Sequence, residues 1–246
     1  MNDTHIIYGI HAIEEALNSD KQINKLIVSK DLKNEQVDLL IKKAGALHIP
    51  VQFVPREAPV FPRQRNHQGV VAYVSPIAYH NLEDILPQIF ESGKVPFILI
   101  LDRITDVRNF GAIARSAFCG GVDAIVIPDS GAAQISEDAV KTSAGALLKI
   151  PVCREKNFKT VMELLNQSGV KTVACTEKAN KELPFVDLTE PVAIILGSEE
   201  KGISTDILKR CAVSAKIPLE MGIGSLNVSV AAGIAVYETV RQRMKS

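Results

Sequence analysis

The feature that most constrains the fold is an alternation in the C-terminal part of the chain. Short, mostly apolar runs recur at strand length, and stretches of helical periodicity separate them. Residues 97–101 (FILIL), 124–127, 171–175, 192–196 and 212–217 read as strands. Residues 110–119, 137–146, 159–167 and 227–243 read as helices. Gly120 and Gly121 stop the first helix, because glycine tolerates the left-handed backbone of a helix C-terminus. An α/β order of this kind implies a mostly parallel sheet with helices on its faces.

The preceding residues carry a second, smaller α/β pattern. Ile10, Ile13, Ala16 and Leu17 share one face of a helix over 8–17. Val37, Leu40, Ile41 and Ala44 share one face of another over 35–46, and residues 25–29, 51–54 and 69–74 read as strands. Residues 1–78 are therefore expected to form one domain and residues 94–246 another. The net acidic stretch 79–93, interrupted by Pro87, is expected to be a linker with at most a short helix. In the first domain, residues 55–68 hold three prolines together with Arg56, Arg63, Arg65 and His67. Proline favours an extended, exposed course. Such a loop either contacts phosphates or is an ordinary solvated loop, and both readings stay open.

Composition excludes several classes. Hydrophobic residues make up 46% of the 246, enough for substantial cores. The longest apolar runs fall far short of the roughly 18 residues of a membrane span. The first residues lack the basic-then-apolar pattern of a signal peptide, so a cytoplasmic location is expected. A net charge of +0 argues against non-specific nucleic-acid binding but leaves room for a local basic patch. Cys119, Cys153, Cys175 and Cys211 are scattered without a CxxC pair, so reduced thiols are expected and zinc is not.

Three segments could carry chemistry. The first, residues 101–117 (LDRITDVRNFGAIARSA), joins a strand to a helix, where α/β folds bind ligands. Asn109 sits where an N-cap belongs, and Gly111 would let the helix approach a neighbour. Arg115 stands among small and apolar residues, and needs either an anionic partner or a solvated head. The second, residues 194–203 (IILGSEEKGI), runs a strand into Gly197 and the carboxylate of Glu199. The third, residues 217–227 (IPLEMGIGSLN), places Ser225 and Asn227 at the start of a buried helix. Gly222 and Gly224 do not complete a GxGxxG, which counts against a dinucleotide oxidoreductase. Each segment alone has a capping, turn or packing role that would suffice.

Taken in order, NFGAIARSA, ILGSEEKGI and IPLEMGIGSLNVSVAAGIAVYE resemble the three motifs of the SpoU (TrmH-type) family of S-adenosylmethionine-dependent RNA ribose methyltransferases. YGIHAIEEAL and NHQGVVAYV resemble the small, ribosomal-protein-like substrate domain found in front of its ribosomal RNA members. The tail VYETVRQR resembles guanosine 2′-O-methyltransferases acting on large-subunit (23S) ribosomal RNA. The resemblance implies a SPOUT domain with a deep trefoil knot, and a homodimer whose active site draws on both subunits. S-adenosylmethionine is the implied methyl donor, RNA the partner, and no metal is implied. Asn109, Arg115, Glu199, Ser225 and Asn227 match catalytic positions. Gly197, Ile217, Leu219 and Leu226 match positions that hold the cofactor, largely through backbone.

A guanidinium stays protonated in proteins. Arg115 is therefore read as an electrostatic clamp on a phosphate and the developing alkoxide, not as the base. Asn109 would orient Arg115 or the ribose, and Glu199 would position Asn109 or the partner motif. The chain departs from the family twice. Family members commonly have Asp-Pro where Asp106-Val107 stands here, which implies a less rigid loop. They commonly have glycine at the position of Met221, with this chain's Gly222 one place later. A tRNA ribose methyltransferase and a non-catalytic RNA-binding protein are the competing readings.

Overall fold

A computed structural model of the protein describes residues 6–19, 21–47, 49–61, 66–133, 135–220 and 224–244. The chain divides into two compact units, Met1–Ala78 and Tyr79–Ser246.

The first unit contains β1 (Ile6–Tyr8), α1 (Ile10–Asn18), β2 (Ile23–Ser29), α2 (Glu35–Ala46), β3 (Val51–Val54) and β4 (Val70–Val74). The sheet order is β1-β4-β2-β3, with β4 antiparallel to β1 and β2, and β2 parallel to β3. Alternate residues of a strand face opposite sides of the sheet. Leu26, Val28, Val70 and Ala72 accordingly meet Ile13, Leu17, Val37 and Leu40 of the two helices. On the other face, Ile27 and Val71 meet Phe61, with Ala58 and Val60 beside it. The proline-bearing loop is thus anchored on the sheet, contrary to a wholly exposed course, because Phe61 is too apolar to leave in water. Tyr8 belongs to β1 and not to α1; Gly9, at φ 88°, makes the break between them. Gln68 Oε1 accepts the first helical N–H, from Ile10, at 2.9 Å.

The second unit contains β5 (Tyr79–His80), α3 (Leu82–Glu91), β6 (Phe97–Asp102), α4 (Val107–Cys119), β7 (Ala124–Pro128), α5 (Glu137–Thr142), β8 (Val152–Glu155), α6 (Phe158–Gln167), β9 (Lys171–Cys175), β10 (Lys181–Glu182), β11 (Val192–Gly197), α7 (Thr205–Leu208), β12 (Val213–Lys216) and α8 (Val228–Arg243). The strands form one eight-stranded sheet in the order β10-β12-β9-β11-β6-β7-β8-β5. Every neighbouring pair is parallel. The segment expected to be a linker is part of this unit. Leu82, Leu86 and Ile89 give α3 a buried face, β5 pairs with β8, and α3 runs through Pro87 without stopping. From β6 the chain winds outward through β7 and β8, then returns on the other side through β9 and β11. The strand order therefore reverses beside β6, and such a switch opens a crevice at the carboxyl ends of the strands. No described helix is long and apolar enough to cross a membrane.

Candidate active site

The carboxyl ends of β9 and β11 open into a cleft. It is lined by the continuous run 196–203, by Cys175 at the end of β9 and the next three residues to Lys178, and by Ile217, Leu219, Ser225, Leu226, Val228 and Ala231. All four residues expected to hold a cofactor, Gly197, Ile217, Leu219 and Leu226, lie on its wall. Gly197 ends β11 opposite Asp102 of β6. A Cβ at Gly197 would fall on the backbone of Gly202 and Ile203, so the turn can close only over glycine. The turn is fastened by Gly202 N–H donating to Ser198 O at 2.8 Å and Lys201 N–H donating to Ser198 Oγ at 3.2 Å. It leaves Glu199 projecting at the mouth of the cleft.

Three of the five expected catalytic side chains converge there. Glu199 Oε1 accepts from Asn227 Nδ2 at 2.6 Å, from Asn109 Nδ2 at 3.2 Å and from Val228 N at 3.2 Å. Asn227 Nδ2 also donates to Asn109 Oδ1 at 3.1 Å. Asn227 at the same time caps α8, its Oδ1 accepting from Ser229 N at 2.9 Å. Capping and clustering therefore coexist in one amide, the oxygen serving the helix and the nitrogen serving the site.

Asn109 is not the N-cap of α4. Asp106 is, its Oδ1 accepting from Asn109 N at 2.7 Å, and the helix starts at Val107, three residues before the expected Phe110. The correction matters because it frees the Asn109 side chain for Glu199. Val107 is then the first helical residue, the position that proline favours. Gly111 does admit a neighbour: a Cβ there would lie 2.7 Å from Thr142 Cβ on α5.

Arg115 is exposed and hydrogen-bonds no member of this cluster among the described residues. Six residues of α-helix separate it from Asn109, a rotation of about 120° between the two side chains. Ser225 lines the cleft and is exposed. In the first unit Arg56 is exposed. His67 is half-buried, with its ring stacked on Phe61 at 4.8 Å and its Nδ1 accepting from Gly69 N at 3.0 Å. Those contacts give His67 a structural role in holding the loop. Arg63, Arg65, Met221 and Gly222 lie outside the described residues.

Two groups at the site escaped the sequence reading. One is the run from the end of β9, whose only signal was the position of β9 beside β11. Its Cys175 thiol is pushed up to about 11, first by burial and then by Glu177. The other is Asp102, a 4% exposed carboxylate ending an otherwise apolar run. Its Oδ2 accepts from Ser204 N at 2.6 Å, tying the far end of the Glu199 turn to β6.

The chain has counterparts among known proteins. The pattern of the SpoU rRNA Methylase family matches residues 96–237, and the pattern described as RNA 2′-O ribose methyltransferase substrate binding matches residues 6–80. A protein of Staphylococcus saprophyticus, named to the TrmH family of tRNA/rRNA methyltransferases, is 33% identical over 238 residues, covering 97% of this chain and 96% of its own. The AdoMet-bound rRNA methyltransferase of Sinorhizobium meliloti superposes with a TM-score of 0.62 at 26% identity, over 96% of this chain and 87% of that one. The TrmH/SpoU tRNA modifying enzyme of A. aeolicus gives a TM-score of 0.56 at 25% identity, over 67% of this chain and 85% of that one. Matched by the family pattern across most of its second unit and by a relative along nearly all its length, the chain belongs to the SpoU family of RNA methyltransferases.

Proposed function

We propose that this protein transfers a methyl group from S-adenosylmethionine to a ribose 2′-hydroxyl of RNA, with a guanosine of 23S ribosomal RNA as its target. The observation that carries this reading is the Asn109–Glu199–Asn227 cluster at the mouth of the cleft. The cleft suits the methyl donor chemically. Leu196, Ile217, Leu219 and Leu226 offer apolar walls to an adenine, and the backbone of 197–203 offers polar groups to its edge. Glu177, Glu199 and Glu200 add carboxylates to the same lining, which would favour a cationic sulfonium and ammonium. When bound, the donor supplies an electrophilic methyl group.

The chain's own residues supply position and charge. Glu199 holds two amides in fixed register, so that the ribose meets a pre-formed hydrogen-bonding surface. Ser225 borders the same opening. Arg115 clamps a neighbouring phosphate and stabilises negative charge on the attacking oxygen. It is turned away from its own Asn109, an orientation that fits an active site drawing on both subunits of a homodimer. Support for a dimer comes from α8. Val228, Ala232, Ala235 and Val236 bury one side of that helix, while Val230, Ile234 and Tyr237 expose an apolar stripe on another, Tyr237 at 68%. A helix apolar on opposite sides fits between two partners. The trefoil knot belongs to the same proposal.

The rRNA target is favoured by coverage. The Sinorhizobium meliloti rRNA enzyme parallels nearly the whole chain, the tRNA enzyme of A. aeolicus about two thirds of it. Arg56, with Arg63, Arg65 and the His67-anchored loop, is the proposed RNA contact of the first unit. The test is purified protein with isotopically labelled S-adenosylmethionine and either ribosomal RNA or tRNA, digested to nucleosides for mass spectrometry. Labelled 2′-O-methylguanosine from 23S RNA is expected. Label in tRNA alone, or on a base, would overturn the reading.

A further inference from the structure

Arg103 adopts φ 59°, a left-handed backbone conformation that non-glycine residues seldom occupy. An outlier of this kind persists only where its surroundings hold it, and it invites a search for what it does. Arg103 follows Asp102 at the carboxyl end of β6. Its Nε donates to Asp102 Oδ1 at 3.1 Å, and its Nη2 donates to Asp102 Oδ2 at 3.3 Å and to Gly202 O at 3.2 Å. The guanidinium therefore spans from β6 to the turn that carries Glu199.

Both legs of that turn are tied to the same end of β6. The outgoing leg pairs through Gly197 with Asp102. The returning leg is held by Ser204 N–H on the Asp102 carboxylate at 2.6 Å and by the Gly202 carbonyl on Arg103. Asp102 is nearly sealed, its side chain 6% exposed, whereas the Arg103 side chain is 37% exposed. Fixed planar donors let arginine hold a carboxylate and a carbonyl in one plane, which the point charge of lysine does not do. The strained backbone is what aims the side chain across the gap.

On the methyl-donor reading of the cleft given above, we propose that Arg103 is a positioning residue for cofactor binding. It braces residues 197–204 against β6, and so fixes the cleft wall and the Glu199 carboxylate without touching either ligand.

The test compares the full-length wild-type protein with Arg103→Gly, Arg103→Asn and Arg103→Lys. Glycine, and to a lesser degree asparagine, accept the left-handed backbone without strain. Relief of the backbone strain is expected to offset part of the cost of leaving the nearly sealed Asp102 without its cation, so the unfolding temperature should fall only modestly. The dissociation constant for S-adenosylmethionine, measured by titration calorimetry, is expected to rise about tenfold, the scale of one charge-assisted hydrogen bond. The KM for S-adenosylmethionine should rise with it, and Arg103→Lys should fall in between. Cofactor affinity within twofold of wild type in both the Gly and Asn variants would overturn the proposal. So would a loss of affinity that only tracks a fall in unfolding temperature. A wild-type protein that binds no S-adenosylmethionine would instead strike the underlying reading of the cleft.

Discussion

Glu199 and Asn227, 28 residues apart in sequence, meet at 2.6 Å through a carboxylate oxygen and an amide nitrogen. The contact joins the turn after β11 to the first turn of α8. Asn109 completes it from α4, giving one carboxylate oxygen three N–H donors. A group with that many charge-assisted bonds is expensive to remove and cheap to keep.

The two functions of Asn227 can be separated. Asn227→Ser keeps a side-chain oxygen of similar capping strength, so the cap's own contribution should stay within about 0.5 kcal/mol. It removes the Nδ2 that reaches Glu199 and Asn109. Single-turnover methylation is expected to fall by about a hundredfold, the scale of a misplaced reacting group. Wild-type turnover in this variant would reduce Asn227 to a helix cap.

Val107→Pro should stabilise the protein. Val107 is the first residue of α4, where a missing N–H is harmless and a fixed φ is already helical. Asp106 before it sits at φ −75°, ψ 122°, inside the region that a following proline permits. The expected gain is about 0.4–1 kcal/mol, or about 1–4 °C in unfolding temperature by calorimetry. A lower temperature would show that the departure from Asp-Pro reflects a constraint on this loop.

What was legible in the sequence follows from where each signal resides. The apolar spacing of Val37, Leu40, Ile41 and Ala44 placed α2 at its observed bounds. The unbroken apolar runs placed β6 and β11, both buried on two faces. Strands β5 (Tyr79-His80) and β10 (Lys181-Glu182) were not legible, being two residues long with no apolar run, nor was β8, whose second half is Arg154-Glu155. Asn109, Glu199 and Asn227 were visible as polar residues in marked places. Their contact was not, because Asn109 and Glu199 lie 90 residues apart and only the β6–β11 register brings them together. Arg115 looked equally central in the sequence, yet helical geometry turns it away from the other three.

Gly111 should resist even alanine. Alanine is the better helix former by about 1 kcal/mol, but its Cβ would lie 2.7 Å from Thr142 Cβ and 3.0 Å from Ala139 O. A net loss of about 1–3 kcal/mol is expected, the range for overpacking. Thr142→Gly removes the first clash, so the double variant should be more stable than the two single losses predict. Strict additivity in a denaturant-unfolding cycle would show that α4 and α5 simply move apart.

Glu155 gives the fold a pH dependence of predictable sign. Burial raises its carboxyl above the usual range and Glu83 and Asp84 add to the effect, although the Leu82 N–H that it accepts at 2.6 Å works the other way. A carboxyl with a raised folded pKa binds its proton more tightly in the folded chain. Its contribution is full below the unfolded value, about 4.3, and is lost as pH rises through the folded value. Glu155→Gln keeps an acceptor for Leu82 without the buried charge. It should therefore unfold at or above the wild-type temperature at pH 7, with the advantage shrinking as pH falls toward 4. Glu155→Ala, which leaves the first N–H of α3 unbonded, should unfold lower at every pH, by about 1 kcal/mol. If Glu155→Gln melts below wild type at pH 7, the ionised carboxylate at the start of α3 contributes more through its charge at the helix N-terminus than its burial takes away.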